Sequence, residues 1–173
     1  MSLSKVREKI NQVDDSMKQL FDERMECSNL VADIKLKDAD KVFKPLREKE
    51  IAERFSGDRE YLAFIKLVMQ ISRKRQYGIF LDNMPTVSQG LSNLKDNIRE
   101  SGELRLSLKS DPSMTEGLPV NDLLTVIAAS SLKVKKLSVT QDGAVDVVLS
   151  VGANEQEIRE ALVLAYMLHE ESL

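Results

Sequence analysis

Residues 4–36 read SKVREKINQVDDSMKQLFDERMECSNLVADIKL. Within this stretch Val6, Ile10, Val13, Met17, Leu20, Arg24, Cys27, Val31 and Ile34 follow one another at alternating steps of four and three. That alternation keeps all nine on one stripe of an α-helix and belongs to long helices with a packed seam. The spacing predicts one helix from about Ser4 to Leu36, roughly 50 Å long at 1.5 Å per residue. Two short helices of the same chain cannot cover a seam of that length, so a second copy of the chain is expected along it.

Downstream, residues 37–44 break the pattern. Pro45 suits the first turn of a second helix, where its missing N–H costs nothing, and that helix is expected to run through Phe55. Ser56-Gly57 ends it, and Asp58 is placed to cap a third helix. The stripe of that helix is Tyr61, Ile65, Val68, Ser72, Gln76 and Ile79. After a break at residues 82–85, Val87, Leu91, Leu94 and Ile98 suggest a connecting helix that Gly102 ends. The period then changes. Leu104, Leu106 and Leu108 alternate with polar residues, as in a half-buried strand. A loop over 111–119, a helix over 120–132, strands over 134–140 and 144–150 with a hairpin at Gln141-Asp142-Gly143, and a last helix begun by Asn154 and Glu157 complete the chain. The fold class expected is an all-α N-terminal domain of three helices, forming an intertwined dimer, plus a small α+β domain of order βαββα. The divisions are 1–82, a connecting segment 83–102, and 103–173.

Composition removes several classes of function. The chain has 173 residues, 42% hydrophobic and 31% charged, with a formal net charge of −3. That balance gives no general attraction to nucleic acid or to an anionic membrane. No apolar run approaches the roughly 20 residues that span a bilayer, and the first residues lack the apolar core of a signal peptide. Cys27 and His169 are each the only residue of their type. An internal disulfide, a cysteine cluster and a multi-histidine metal site are thereby excluded, and a cytoplasmic protein with no metal and no cofactor is expected.

Three features are wasteful for a purely structural helical bundle. Arg24 occupies a seam position, where an unpartnered guanidinium costs several kcal/mol. Lys35 follows eleven residues later, and eleven steps of 100° return to within about 20°, so both cations share a face. Ser72 and Gln76 sit four apart on an otherwise apolar stripe, and polar groups there need partners. Two cations, a hydroxyl and an amide aimed into one bundle describe a pocket for a small carboxylate-bearing anion.

These residues resemble a known family. Val6-Arg7-Glu8-Lys9-Ile10 with Val13-Asp14, then Asp22-Glu23-Arg24-Met25-Glu26, then Lys35, Pro45-Leu46-Arg47-Glu48 and Ile71-Ser72-Arg73-Lys74-Arg75-Gln76 are similar, in order and spacing, to the all-helical chorismate mutases over about residues 4–80. The resemblance implies the rearrangement of chorismate to prephenate in phenylalanine and tyrosine biosynthesis. That reaction is pericyclic and needs no nucleophile, metal or cofactor, only conformational restraint and charge aimed at the breaking ether bond. By the same resemblance Arg7 and Arg24 clamp the substrate carboxylates with help from Ser72. Arg47 orders the site, Glu48 accepts from the ring hydroxyl, and Lys35 and Gln76 donate to the ether oxygen. Arg7 and Arg24 lie about 25 Å apart along one straight helix. A ten-carbon substrate that touches both takes Arg7 from a partner chain, which implies a homodimer with shared sites.

Two departures stand out. Lys44 replaces an acidic residue found in many relatives, and the stretch from Glu48 to Ser72 is shorter than usual by roughly eight residues, about two helical turns. Loss of one turn from each of two antiparallel helices keeps their register. Two other readings stay open: an isochorismate-pyruvate lyase, which shares the fold, and a non-catalytic regulatory subunit that binds chorismate, prephenate or an aromatic-pathway enzyme. Residues 103–173 weakly resemble ferredoxin-like units, including the amino-acid-sensing ACT domains. An aromatic amino acid or a pathway enzyme is the partner that resemblance suggests there, with dimerisation or docking as the alternative. Because every candidate site residue precedes position 77, residues 103–173 are expected to be dispensable for the chemistry.

Overall fold

The computed structural model describes residues 2–108, 120–140 and 144–171. The loop expected at 111–119 and the hairpin turn at 141–143 lie outside the described residues.

The first helix, α1, spans Leu3–Lys37. Ser2 caps it by accepting from the Lys5 amide, and Lys35 and Lys37 place positive charge in the last turn, where the helix dipole favours it. The second helix, α2, spans Pro45–Arg54 with its proline in the first turn. The third, α3, spans Arg59–Asn83, and the Asp58 side chain accepts from the Tyr61 amide at 3.0 Å. The expected connecting helix is two pieces, α4 (Pro85–Gly90) and α5 (Ser92–Ser101), joined at Leu91. Gly102 ends α5 in the left-handed conformation, φ 65°, which glycine adopts without a steric penalty.

Strands β1 (Glu103–Leu108), β2 (Lys133–Val139) and β3 (Val145–Ser150) form one sheet in the order β1-β3-β2, with both outer strands antiparallel to β3. Helix α6 (Val120–Ala128) connects β1 to β2, and α7 (Glu155–Glu171) follows β3. Insertion of β3 between β1 and β2 makes this a split βαβ unit. Leu104 pairs with Leu149, Leu106 with Val147 and Leu108 with Val145, so the period-two pattern of the sequence lies on the inward face. The edge strand β2 carries Lys133, Lys135 and Lys136, charges that discourage edge-to-edge pairing.

Two findings differ from the sequence pattern. The seam Val6, Ile10, Val13, Met17, Leu20, Val31 and Ile34 is not packed in the single chain; each of these residues is 39% exposed or more. The face of α1 that meets α3 is offset from it and carries Met25, Ser28 and Ala32. Every described side chain of residues 3–20 is exposed, although Met17 and Leu20 share a groove with the start of α3.

The second finding is that the core runs without a break from the helical part into the α+β part. Ala32, Val42, Tyr77, Phe80 and Leu81 belong to the same buried cluster as Leu104, Val147, Leu149, Ile158, Met167 and Leu168. Helix α7 is buried nearly all round, as a helix between two layers must be, and Tyr166 meets Tyr77 edge to face at 5.3 Å. A Cβ on Gly78 would stand 2.9 Å from the Arg159 guanidinium, which crosses α3 there to make a two-pronged pair with Asp82.

Candidate functional site

The polar residues of α1 and α3 face one another because the two helices pack along Met25, Ser28 and Ala32 on one side and Val68, Ser72 and Gln76 on the other. Above that contact lies a cavity of about 450 Å³, within the range of small-molecule sites. Arg24, Lys35, Arg47, Glu48, Ser72 and Gln76 all line it, with Ser28, Lys44 and Arg73 among their neighbours. Six of the seven residues singled out in the sequence are thus brought together. Arg7 is not among them; it is exposed on the projecting half of α1.

Arg24 donates to the Ser72 hydroxyl and, at 3.4 Å, to the Val68 carbonyl. Ser72 in turn donates to the Val68 carbonyl at 3.0 Å. Lys35 donates to the Val42 carbonyl at 2.6 Å and to Gln76 Oε1 at 3.3 Å. The Gln76 amide nitrogen donates to Ser28 Oγ at 3.2 Å, which leaves its second N–H for a ligand. Ser28 closes the network by donating to the Ser72 carbonyl at 3.1 Å. The pattern of the sequence passed over Ser28, a small polar residue on the buried face between Arg24 and Lys35. Its signal was burial among apolar residues, which a single seam template does not score.

The electrostatics follow from burial. Arg24 and Lys35 are each half-buried and held by neutral acceptors. Burial lowers the Arg24 pKa, with Cys27 and Glu48 opposing. Burial also lowers the Lys35 pKa; Asp40 and Glu48 act against it and Lys44 with it. Both shifts mean that charge is costly there until an anion arrives. The other cations are already paired. Lys44 bonds to Asp40, so an ion pair stands at the rim. Arg47 turns outward to Glu50 at 3.0 Å, its side chain 68% exposed. Glu48 pairs with Arg73, which also bonds Glu171 of α7. Arg73, adjacent to Ser72, is given no role by the sequence beyond its place in that motif, and one of its two partners lies 98 residues away.

Helices α2 and α3 are joined by a tight turn at Phe55-Ser56-Gly57-Asp58, where the Asp58 amide donates to the Phe55 carbonyl at 3.1 Å. Ser72 and Gln76 stand opposite Arg24 and Lys35 with that turn in place.

The constellation is two charge-deficient cations, a hydroxyl and an amide on one side, and a carboxylate on the other. It can clamp an anionic ligand and donate hydrogen bonds to one of its oxygens. No helix among the described residues is long and apolar enough to cross a membrane. No curated protein and no solved structure matches the chain. The family model for chorismate mutase type II matches residues 6–77, a span that begins at the first seam residue and closes just after Gln76. Residues 6–77, a little under half of the chain, are thus similar to the chorismate mutase type II family.

Proposed function

We propose that the protein is an active chorismate mutase. The observation that carries the reading is the pair Arg24 and Lys35, both partly desolvated, both held by neutral groups, on one wall of a cavity large enough for a ten-carbon dianion. A compact dicarboxylate supplies the missing negative charge. Arg24 takes one carboxylate, with Ser72 fixing the guanidinium. Lys35 and the free N–H of Gln76 are aimed at the ether oxygen, where negative charge grows as the C–O bond breaks. Donors already held by Val42, Ser28 and each other need little reorganisation at that moment. Glu48 accepts from the ring hydroxyl and so selects the folded substrate shape. Arg47 would order the mouth of the site once its bond to Glu50 is exchanged.

The second carboxylate needs Arg7, and in this reading Arg7 comes from a partner chain in a homodimer. Support comes from the open seam of α1 and from a second cavity of about 650 Å³ beside Arg24, lined by Met17, Leu20, Phe21, Tyr61, Phe64, Ile65 and Val68. An apolar groove that ends at Arg24 suits the N-terminal turns of another α1, with Val6 and Ile10 buried and Arg7 delivered to the cavity.

One assay tests the proposal. Purified protein is incubated separately with chorismate and isochorismate, and substrate loss and product identity are followed. Conversion of chorismate to prephenate supports it. Release of pyruvate from isochorismate alone assigns a lyase instead, and binding of chorismate without turnover assigns a regulatory subunit.

A further inference from the structure

Helix α2 carries Arg47 and Glu48, yet it has little of its own to hold them in place. It is ten residues long and none is fully buried; its inward face, Pro45, Glu48, Ile51 and Ala52, is only half-buried, a weak anchor beside the apolar faces that hold most helices. Arg47 is engaged outward. Glu48 is the inward tie, and its partner Arg73 is fixed on three sides. Its NH1 donates to Glu48, its Nε donates to Glu171 at 2.9 Å, and its guanidinium lies 5.2 Å from the centre of the Phe43 ring. The side chains of Arg73 and Glu171 are 8% and 1% exposed. A guanidinium is the one cationic side chain whose rigid fork serves two carboxylates at set angles. Burying three ionisable groups merely to join α3 to α7 is a poor stabiliser, because desolvation consumes the gain. The apolar contacts around Tyr77 and Tyr166 already join those helices.

We infer that Arg73 and Glu171 are positioning residues of the cavity: Glu171, on the last described turn of α7, orients the Arg73 guanidinium, and Arg73 holds Glu48, and with it α2, against the site. The α+β part thereby supplies a residue on which the geometry of the helical part depends. The kinetic side of this inference rests on the chorismate mutase reading; the structural side does not.

The experiment has one arm for each side. Amide hydrogen exchange across residues 45–54 of the whole protein reports the tie without any substrate. Arg73→Met and Glu171→Gln are each expected to speed exchange in α2 by about fivefold or more while α5 keeps its protection. Unchanged exchange in α2, or equal acceleration in α2 and α5, overturns the inference. In the second arm kcat/KM for chorismate is measured in a double-mutant cycle. Glu171→Gln is expected to lower it about tenfold in the native background and less than about twofold beside Glu48→Gln, because its effect passes through Glu48. Equal losses in both backgrounds overturn the link to Glu48. If the native protein turns over no chorismate, the functional reading fails, and the exchange arm still decides the structural claim.

Discussion

Lys35 and Gln76 meet head to head across the cavity, Nζ to Oε1 at 3.3 Å. The contact fixes which end of the amide faces the lysine and leaves the nitrogen for Ser28 and a ligand. It also sets a pH prediction. A neutral amide donates at any pH, so Gln76 itself is expected to add no pH dependence to turnover. In Gln76→Glu a carboxylate beside the Lys35 ammonium stays ionised and accepts only. Its activity should survive in acid and fall towards neutrality. Lys35→Ala should cost on the order of 10²–10³ in turnover, as loss of one preorganised donor does elsewhere. The check is the pH profile of turnover for the native protein beside Gln76→Glu; superimposable profiles would remove Gln76 from the chemistry.

Arg7 and Arg24 give the second prediction. Arg7 is exposed far from the cavity and Arg24 lines it. Arg7→Ala and Arg24→Ala are expected to be nearly inactive alone. Refolded together they should regain activity, because every mixed dimer carries one intact site and one doubly altered site. Mass spectrometry of the mixture establishes that mixed dimers formed. Their inactivity would place Arg7 outside the reaction.

Glu171 gives the third. Burial, with Glu48 adding to it, pushes this carboxyl up to about 7 from its ordinary 4.5, although Arg73 and Tyr77 pull it down. The sign is then fixed. Between about pH 4.5 and 7 the folded protein keeps a proton that the unfolded chain has released, so stability falls as pH rises through that window. The loss is on the order of 3 kcal/mol if this group alone is counted. Urea unfolding at pH 5 and pH 8 measures it. Glu171→Gln should flatten the difference; an unchanged slope would mean that other groups set it.

A fourth prediction concerns removal of residues 103–173. Tyr77, Phe80 and Leu81 are 1%, 5% and 7% exposed, and the α+β part covers much of that surface. Each such side chain contributes about 1.5–3 kcal/mol through burial. Uncovering three approaches the whole stability of a typical domain, about 5–15 kcal/mol. A chain ending after Ser101 is therefore expected to aggregate or to melt well below the full protein, as light scattering and circular dichroism would show. A soluble product with native melting would show that the helical part closes its own core.

That prediction departs from what the sequence suggests, and the reason is instructive. Local patterns reveal what a residue's near neighbours make of it. The span of α1, the Asp58 cap, the Gly102 stop and the alternation of Leu104, Leu106 and Leu108 are all local, and each matches the structure within a residue or two. The meeting of Arg24, Lys35, Ser72 and Gln76 was also legible, because helical periodicity places polar groups on a buried face and buried polar groups need company. The tie between Arg73 and Glu171 was not. Nothing near Arg73 distinguishes it from Lys74 and Arg75 beside it, and which of three adjacent cations turns inward is decided by α7. The orientation of α1 was half legible. The periodicity identified a stripe, but the face towards α3 is the neighbouring one with Ser28 and Ala32, since a small-residue face admits the closest approach.

The position of α7 has a further consequence for the order in which the protein is made. Chains fold from the N-terminus as they are synthesised, and contacts between distant residues form late. All residues lining the cavity have been synthesised once α3 is complete, but the helix that covers Tyr77 and supplies Glu171 emerges last among the described elements. Until then a nascent chain presents two adhesive surfaces, the open α1 stripe and the uncovered end of α3. Docking of α7 closes one of them and, through Arg73, tightens the cavity in the same event. Ribosome-bound chains stopped before residue 155 should therefore be the species that chaperones hold, and release should coincide with the appearance of a formed site.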